Sequence, residues 1–142
     1  LDQAYQRAWQ NRDFEIYKFW SRAAYFWGFL VLIFGAYFAL DKDKSHNSEL
    51  ELYLLSLGLI CAFAWTFVIR GSKRWQENWE AHVDFLEDFV SGPLYKTVFN
   101  RGRFYSVSKI NEILSWLICL VWSGLFFEFL LERKFFKEIF EF

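Results

Sequence analysis

The sequence predicts an all-α integral membrane protein: a helical bundle of three transmembrane helices, with a cytoplasmic amphipathic helix between the second and the third. Three apolar stretches without charged residues, 23–40, 52–69 and 113–127, account for 51 of the 142 residues. A helix that rises about 1.5 Å per residue needs about 20 residues to cross about 30 Å of hydrocarbon. Backbone amides cannot stay unpaired in lipid, so helices are the expected form of these stretches.

The composition also favours a membrane environment. Aromatic residues make up 24% of the chain, with 19 Phe and 8 Trp. A chain this rich in aromatic residues would aggregate in water unless lipid or partner chains covered it. The lipid bilayer is therefore the first expected partner.

The distribution of basic residues predicts the orientation. Four Lys or Arg residues precede the first span and seven more lie within 70–112. The loop 41–51 holds two lysines against four acidic residues. The positive-inside rule then places the N-terminus and the 70–112 segment in the cytoplasm, and both the 41–51 loop and the C-terminus on the other side.

The single predicted membrane domain, 1–142, begins with an interfacial amphipathic helix over 1–22, followed by span 1 over 23–40. Aromatic and apolar residues recur in 1–22 at near-helical spacing among charged ones, so this helix is expected to lie at the membrane interface or to run straight into the span. Span 2 is predicted over 49–70. Its start is set by Ser48, which can cap the free amides of the helix, and by Glu51, which can reach back to it.

Residues 71–108 are predicted to form a cytoplasmic amphipathic helix and a linker. Trp75, Trp79 and Leu86 lie on one apolar stripe with Val83 and Val90, and are the candidate partner-binding or interface residues. The acidic residues of the segment, Glu87 among them, are expected mostly off that stripe. Ser91-Gly92-Pro93 is expected to end the helix.

Span 3 is predicted over 109–131, with a cap at Ser106 or Ser108, and an amphipathic tail over 132–142. It contains Glu128, the one ionisable residue within the limits of a 19-residue apolar run that starts at residue 113. That carboxylate lies either at the far interface or, as a possible intramembrane polar group, towards a pore or another helix.

Small residues recur on one side of each span, which lets helix backbones approach closely in lipid. Each stripe is expected to pack either against another helix of the same three-helix unit or against another protomer of a homo-oligomer. The candidate helix-packing or oligomer residues are Ala24, Gly28, Gly35 and Ala39 on the first span, Gly58 and Ala62 on the second, and Ser115, Cys119 and Ser123 on the third.

Signals of catalysis are poor, and we expect a protein that is not an enzyme and needs no cofactor. A metal site could be drawn from His82 and its acidic neighbours Glu80, Asp84 and Glu87, but residues two apart on a helix point in nearly opposite directions. The Arg101-Gly102-Arg103 cluster is too short to predict nucleic-acid binding, and lipid headgroups suit it better.

Three charged and aromatic segments lie around the apolar spans: RAWQNRDFEIYKFWSRA, KRWQENWEAHVDFLEDFVSGPLYKTVF and YSVSKINEILSW. With the hairpin of the first two spans and the third apolar run, they resemble small bacterial membrane proteins of anti-phage defence systems, and the chain is similar to the retron-associated transmembrane effectors. The resemblance implies a bacterial inner-membrane effector of abortive infection, held silent by a reverse transcriptase and its RNA–DNA hybrid and released to damage the membrane. It brings no catalytic residue.

The predicted function is therefore antiviral defence by an oligomer that disrupts or permeabilises the membrane. A non-toxic membrane scaffold or accessory subunit that docks a cytoplasmic partner is the alternative.

Overall fold

The structure, a computed structural model, describes residues 1–41, 48–97 and 106–132. These residues form three α-helices: α1 (Asp2–Asp41), α2 (Ser48–Val90) and α3 (Val107–Glu132). Each helix is long and apolar enough to cross a membrane, which confirms the predicted all-α fold with three candidate spans. Residues 42–47 of the loop between the first two spans, the Arg101-Gly102-Arg103 cluster and the tail after Glu132 lie outside the described residues.

The amphipathic helix predicted over 1–22 is the first half of α1, which continues into the span without a break. A 40-residue helix is about 60 Å long, roughly twice the thickness of the hydrocarbon layer. The chain's one proline is Pro93, so none interrupts α1. Helix α1 is therefore continuous across residue 22, where the predicted amphipathic helix gives way to the predicted span.

The second span and the amphipathic helix after it also form one helix, α2, of 43 residues. The helix passes through Gly71, because a single glycine weakens a helix but does not end it. It ends at Val90, where the Ser91-Gly92-Pro93 turn was predicted to stop it. Gly92 adopts a φ of 73°, which glycine reaches without steric cost, and its N–H donates to the Glu87 carbonyl at 2.9 Å.

Helix α3 starts at Val107, after a serine cap. The Ser106 hydroxyl accepts a hydrogen bond from the Lys109 N–H at 3.4 Å, and the Ser106 carbonyl accepts one from the Ile110 N–H at 3.1 Å. Ser106, rather than Ser108, therefore caps the helix.

Helix α2 lies between the other two helices and packs against both. The rings of Trp27 and Trp65 join α1 to α2, with centroids 5.4 Å apart. The fully buried Trp122 of α3 contacts α1, with its ring centroid 4.4 Å from that of Phe34 and 6.3 Å from that of Tyr37. Aromatic side chains therefore fill the core between the three spans.

Two antiparallel helical segments extend beyond the spans. They are residues 2–22 of α1 and residues 70–90 of α2, and the turn 91–97 follows the second segment. We call these two segments, together with the turn, the stalk. Its α2 portion, 70–90, is about 30 Å long. Two polar contacts lie where the stalk joins the spans. Arg22 donates a hydrogen bond to the Ser72 hydroxyl, and Arg70 Nε lies 3.3 Å from Glu112 Oε1.

Candidate protomer interface

The small residues of α2 and α3 pack against each other within one protomer. Ala62 and Ser115 are fully buried, and Ser123 is half-buried. Thr66 Oγ1 donates to the Ala62 carbonyl at 3.0 Å and lies 3.3 Å from Cys119 Sγ across the helix pair. The predicted stripes on the second and third spans therefore meet each other.

Gly58 is the point of closest approach in this helix pair. A Cβ atom built on Gly58 would stand 2.5 Å from Cε3 and Cζ3 of the Trp122 ring, far inside van der Waals contact. The flat ring of Trp122 therefore lies directly on the α2 backbone. Glycine at position 58 makes this packing possible.

The small residues of α1 have a different environment. Ala24, Gly28, Gly35 and Ala39 are all exposed on the outer side of the protomer. A Cβ atom built on Gly28 or on Gly35 would have no heavy atom within 4 Å, apart from the helix's own backbone. The structure does not bring this stripe together with the small residues of α2 and α3, so the outer α1 face is a shallow groove without an occupant in the protomer.

Much of each span is also uncovered. The buried share of the apolar window is 17% in α1, 33% in α2 and 22% in α3. Large apolar side chains such as Leu32, Ile60 and Leu120 are about 70% exposed. Lipid or other protomers must cover this surface in the assembled protein.

Glu128 lies on the exposed side of α3. It follows Glu112 by 16 residues, so the two carboxylates are about 24 Å apart along the helix axis. This places Glu128 towards the end of the span that is remote from the stalk.

The candidate partner residues of the stalk are unequally covered. Trp75 is 59% exposed, whereas Trp79 and Leu86 are half-buried. The side of α2 that packs on α1 is centred instead on Val83 and Glu87, which are both fully buried. The sequence interpretation placed Glu87 off the apolar stripe, and this is corrected by the structure.

Glu87 is buried because it holds the turn that follows α2. Its Oε2 accepts a hydrogen bond from the Tyr95 N–H at 2.6 Å, and its Oε1 accepts one from the Lys96 N–H at 3.1 Å. Two amide donors on one carboxylate compensate for much of its loss of hydration. Glu87 also stands four residues after Val83 and three before Val90. Residues at this spacing share one face of a helix, so the sequence did contain a signal that Glu87 lies on the buried side.

Lys96 adds an exposed contact to the same turn. Its Nζ lies 2.7 Å from Asp88 Oδ2, and hydrogen bonding to Asp88 raises the pKa of Lys96 above its ordinary value. A lysine whose pKa is raised by folding stabilises the folded state as long as the lysine is protonated. This stabilisation is complete below about pH 10 and is lost as the pH rises through the pKa of the folded protein. The contact therefore stays intact across the physiological pH range.

Aromatic residues near the start of α1 contact this turn as well. The ring centroids of Trp9 and Tyr95 are 5.5 Å apart, and the Arg12 guanidinium lies 4.8 Å from the Trp9 centroid and 5.1 Å from that of Tyr95. Ser91 Oγ donates to the Tyr5 hydroxyl at 3.2 Å. The end of the stalk is thus closed by contacts between both of its helices and the turn.

Replacing Glu87 by alanine is expected to loosen the turn, because the Tyr95 and Lys96 amides lose their acceptor. The loss of a charged acceptor for partly buried donors costs about 1–3 kcal/mol. Hydrogen exchange of these two amides should therefore become faster by about one order of magnitude or more. Asp88→Ala, which removes only an exposed ion pair, is the control and should change exchange little. Equal exchange rates in the two variants would contradict the role given to Glu87.

The residues considered for a metal site are used in other ways. His82 is exposed, with its Nδ1 2.7 Å from the Asn78 carbonyl oxygen, whereas Glu87 turns towards the Tyr95 and Lys96 amides. These two side chains do not converge. Within the described ranges, no three His, Cys, Asp or Glu side chains are grouped as metal ligands would be.

A family model described as the octameric membrane protein family (8xMP) matches residues 2–131, nearly the whole chain. The chain belongs to the octameric membrane protein family. No curated protein and no solved structure matches it. Membership in 8xMP, together with three apolar helices, makes this a multi-pass membrane protein that forms homo-oligomers.

Oligomer formation in 8xMP gives the outer α1 face a reason to be built from small residues. Within one protomer, Gly28 and Gly35 only weaken the helix, since glycine is about 1 kcal/mol less favourable than alanine in a helix interior. Between protomers, the same glycines would let a neighbouring helix approach the α1 backbone. The groove along Ala24, Gly28, Gly35 and Ala39 is therefore the candidate protomer interface.

Proposed function

We propose that this 8xMP protein is a non-enzymatic effector of the bacterial inner membrane that assembles through the outer α1 face and permeabilises the bilayer. The observation that carries the proposal is the open α1 groove, with no heavy atom within 4 Å of a Cβ at Gly28 or Gly35, in a chain whose family is oligomeric. A membrane protein can act on the bilayer simply by assembling in it. No reaction centre is needed for such an activity.

The geometry of assembly follows from symmetry. If the α1 groove met the same groove of a second protomer, the contact would be two-fold and would stop at a dimer. A larger ring needs the groove to receive a different surface of the neighbour. The exposed bulky side chains of α2 and α3, such as Ile60 and Leu120, offer a matching ridge. We therefore propose a heterologous contact that closes a ring of eight copies, the number in the family's description.

A closed ring of this kind encloses a central space, which is the proposed route of permeation. Glu128, exposed on α3, is the candidate polar group for such a route. The role in anti-phage defence, and silencing by a reverse transcriptase with its RNA–DNA hybrid, are supported by the resemblance to retron-associated effectors. We expect no direct contact between this chain and nucleic acid.

A leakage assay tests the permeabilising activity. The purified protein is reconstituted into vesicles of phosphatidylcholine and phosphatidylglycerol that contain a self-quenching dye. Wild-type protein is expected to release the dye, with a steep dependence on the protein-to-lipid ratio because several copies must assemble. Vesicles that hold inserted wild-type oligomer and retain all of their dye would contradict the proposal.

The proposed orientation places the stalk in the cytoplasm, as the basic residues around the spans predict. A reporter that is active only in the cytoplasm is expected to work when fused to the N-terminus. It is expected to be silent when inserted at His46 or fused after Phe142. Activity at His46 would reverse the orientation, and activity at Phe142 with silence at His46 would show that α3 does not cross.

A non-toxic scaffold is the second candidate function, and the stalk surface favours it. Phe85 and Phe89 are each more than 60% exposed, as is the neighbouring Leu94, and Trp75 is 59% exposed. Exposed apolar residues on a stalk that projects beyond the lipid are suited to docking a soluble partner. A scaffold should insert and oligomerise but leave vesicles and cells intact, which separates it from an effector.

A further inference from the structure

A small cavity lies on α2 where the span meets the stalk. It has a volume of about 320 Å³ and is lined by Phe67, Arg70, Gly71 and Arg74. Arg70 directly follows Ile69, the last residue of the charge-free stretch 52–69. The cavity is therefore level with the boundary between hydrocarbon and headgroups, where lipid phosphates lie.

The two arginines of this cavity lie one helical turn apart on the same face. Like charges at this spacing repel each other unless an anion lies between them. Glu112 contacts Arg70 from α3 at 3.3 Å and fixes one edge of its guanidinium. Arg74 has no ion-pair partner within the described part of the chain, and the adjoining Lys73 is 3.9 Å from Glu77. The guanidinium of Arg74 is thus a positive charge at this position that no carboxylate of the described residues neutralises.

Gly71 lines the cavity beside the arginines and has no side chain to fill it. A Cβ atom built there would have no heavy atom within 4 Å, and glycine is among the least favourable residues for the interior of a helix. Phe67, one turn towards the membrane, is 63% exposed and forms an apolar wall. The cavity therefore has a cationic side facing the stalk and an apolar side facing the hydrocarbon, as a phospholipid has a phosphate above its acyl chains.

We propose that Phe67, Arg70, Gly71 and Arg74 form a binding site for the phosphate of an anionic phospholipid. The guanidinium groups bind the phosphate oxygens, and Phe67 packs against the glycerol and upper acyl chain. The site adds a lipid requirement that does not depend on whether the oligomer permeabilises membranes.

Native mass spectrometry of the delipidated full-length oligomer tests this site. Phosphatidylglycerol is expected to bind more tightly than phosphatidylcholine. Arg74→Gln should weaken phosphatidylglycerol binding about five-fold, the change typical of one basic residue at a membrane surface. Arg7→Gln, at an exposed arginine near the start of α1, is the matched control and should leave lipid binding unchanged.

Gly71→Leu provides an independent steric test, because it keeps every charge and fills only the cavity. It should fold, since its new side chain meets open space, and it should lose phosphatidylglycerol selectivity. Wild-type binding of phosphatidylglycerol by both Gly71→Leu and Arg74→Gln would overturn the site. Displacement of the lipid by inorganic phosphate at equal concentration would assign the site to free phosphate instead. A Gly71→Leu protein that loses its oligomer but retains lipid selectivity would assign the cavity to a neighbouring protomer.

Discussion

Replacement of Gly58 by leucine is expected to separate α2 from α3 and to abolish the folded protomer. Even the first added carbon would stand 2.5 Å from the Trp122 ring. That ring cannot move aside easily, because it is fully buried and its centroid is 4.4 Å from that of Phe34 on α1. Overpacking by a few methylene groups typically costs about 1–3 kcal/mol, and we expect leucine at position 58 to exceed this range.

Thermal unfolding of the detergent-solubilised protein measures this effect. Gly58→Leu should unfold at a much lower temperature than wild type or fail to purify as a single species. Gly124→Leu is the matched control, because Gly124 is also in a span but has no atom within 4 Å of a built Cβ. If Gly58→Leu were as stable as Gly124→Leu, the close packing of α2 on α3 would be wrong.

Replacement of Gly28 or Gly35 by leucine is expected to act differently from Gly58→Leu: the protomer should fold, but the oligomer should not assemble. Neither new side chain meets another part of its own protomer, so the fold should be kept. Between protomers, each leucine would hold the neighbouring helix away from the α1 backbone. We expect the association constant to fall at least tenfold, a loss of about 1.4 kcal/mol.

Crosslinking in membranes and light scattering in detergent both report this loss. Phe29→Leu is the control, because Phe29 is exposed beside Gly28 but points in a different direction around the helix. It should keep the wild-type oligomer. Wild-type oligomer in both Gly28→Leu and Gly35→Leu would remove α1 from the protomer interface.

Local sequence patterns were enough to predict the three spans, because hydrophobic length is a property of consecutive residues. The start of α2 at Ser48 and its end before Ser91-Gly92-Pro93 were also predictable, since caps and turns depend on a few neighbouring residues. The continuity of each span with its stalk segment was less predictable. A change from apolar to charged composition marks a change of solvent, and the helix itself need not end there.

Tertiary contacts were beyond the reach of these patterns. The stripes at Gly28 and at Gly58 look alike in sequence, yet Gly58 lies against Trp122, 64 residues further along the chain, while Gly28 faces outwards. Glu87 is expected off the apolar stripe of α2, yet it is fully buried. Its partners are backbone amides in the turn after the helix, which a helical projection of α2 does not contain.

The membrane potential of bacterial cells that produce the protein tests most directly whether assembly through α1 disrupts membranes. A potential-sensitive dye would follow cells that express wild type, Phe29→Leu or Gly28→Leu at equal levels in the membrane, with and without phage infection. We predict depolarisation by wild type and by Phe29→Leu, and a normal potential in cells with inserted but unassembled Gly28→Leu. A normal potential with all three proteins under every condition, or full depolarisation by Gly28→Leu, would contradict this account.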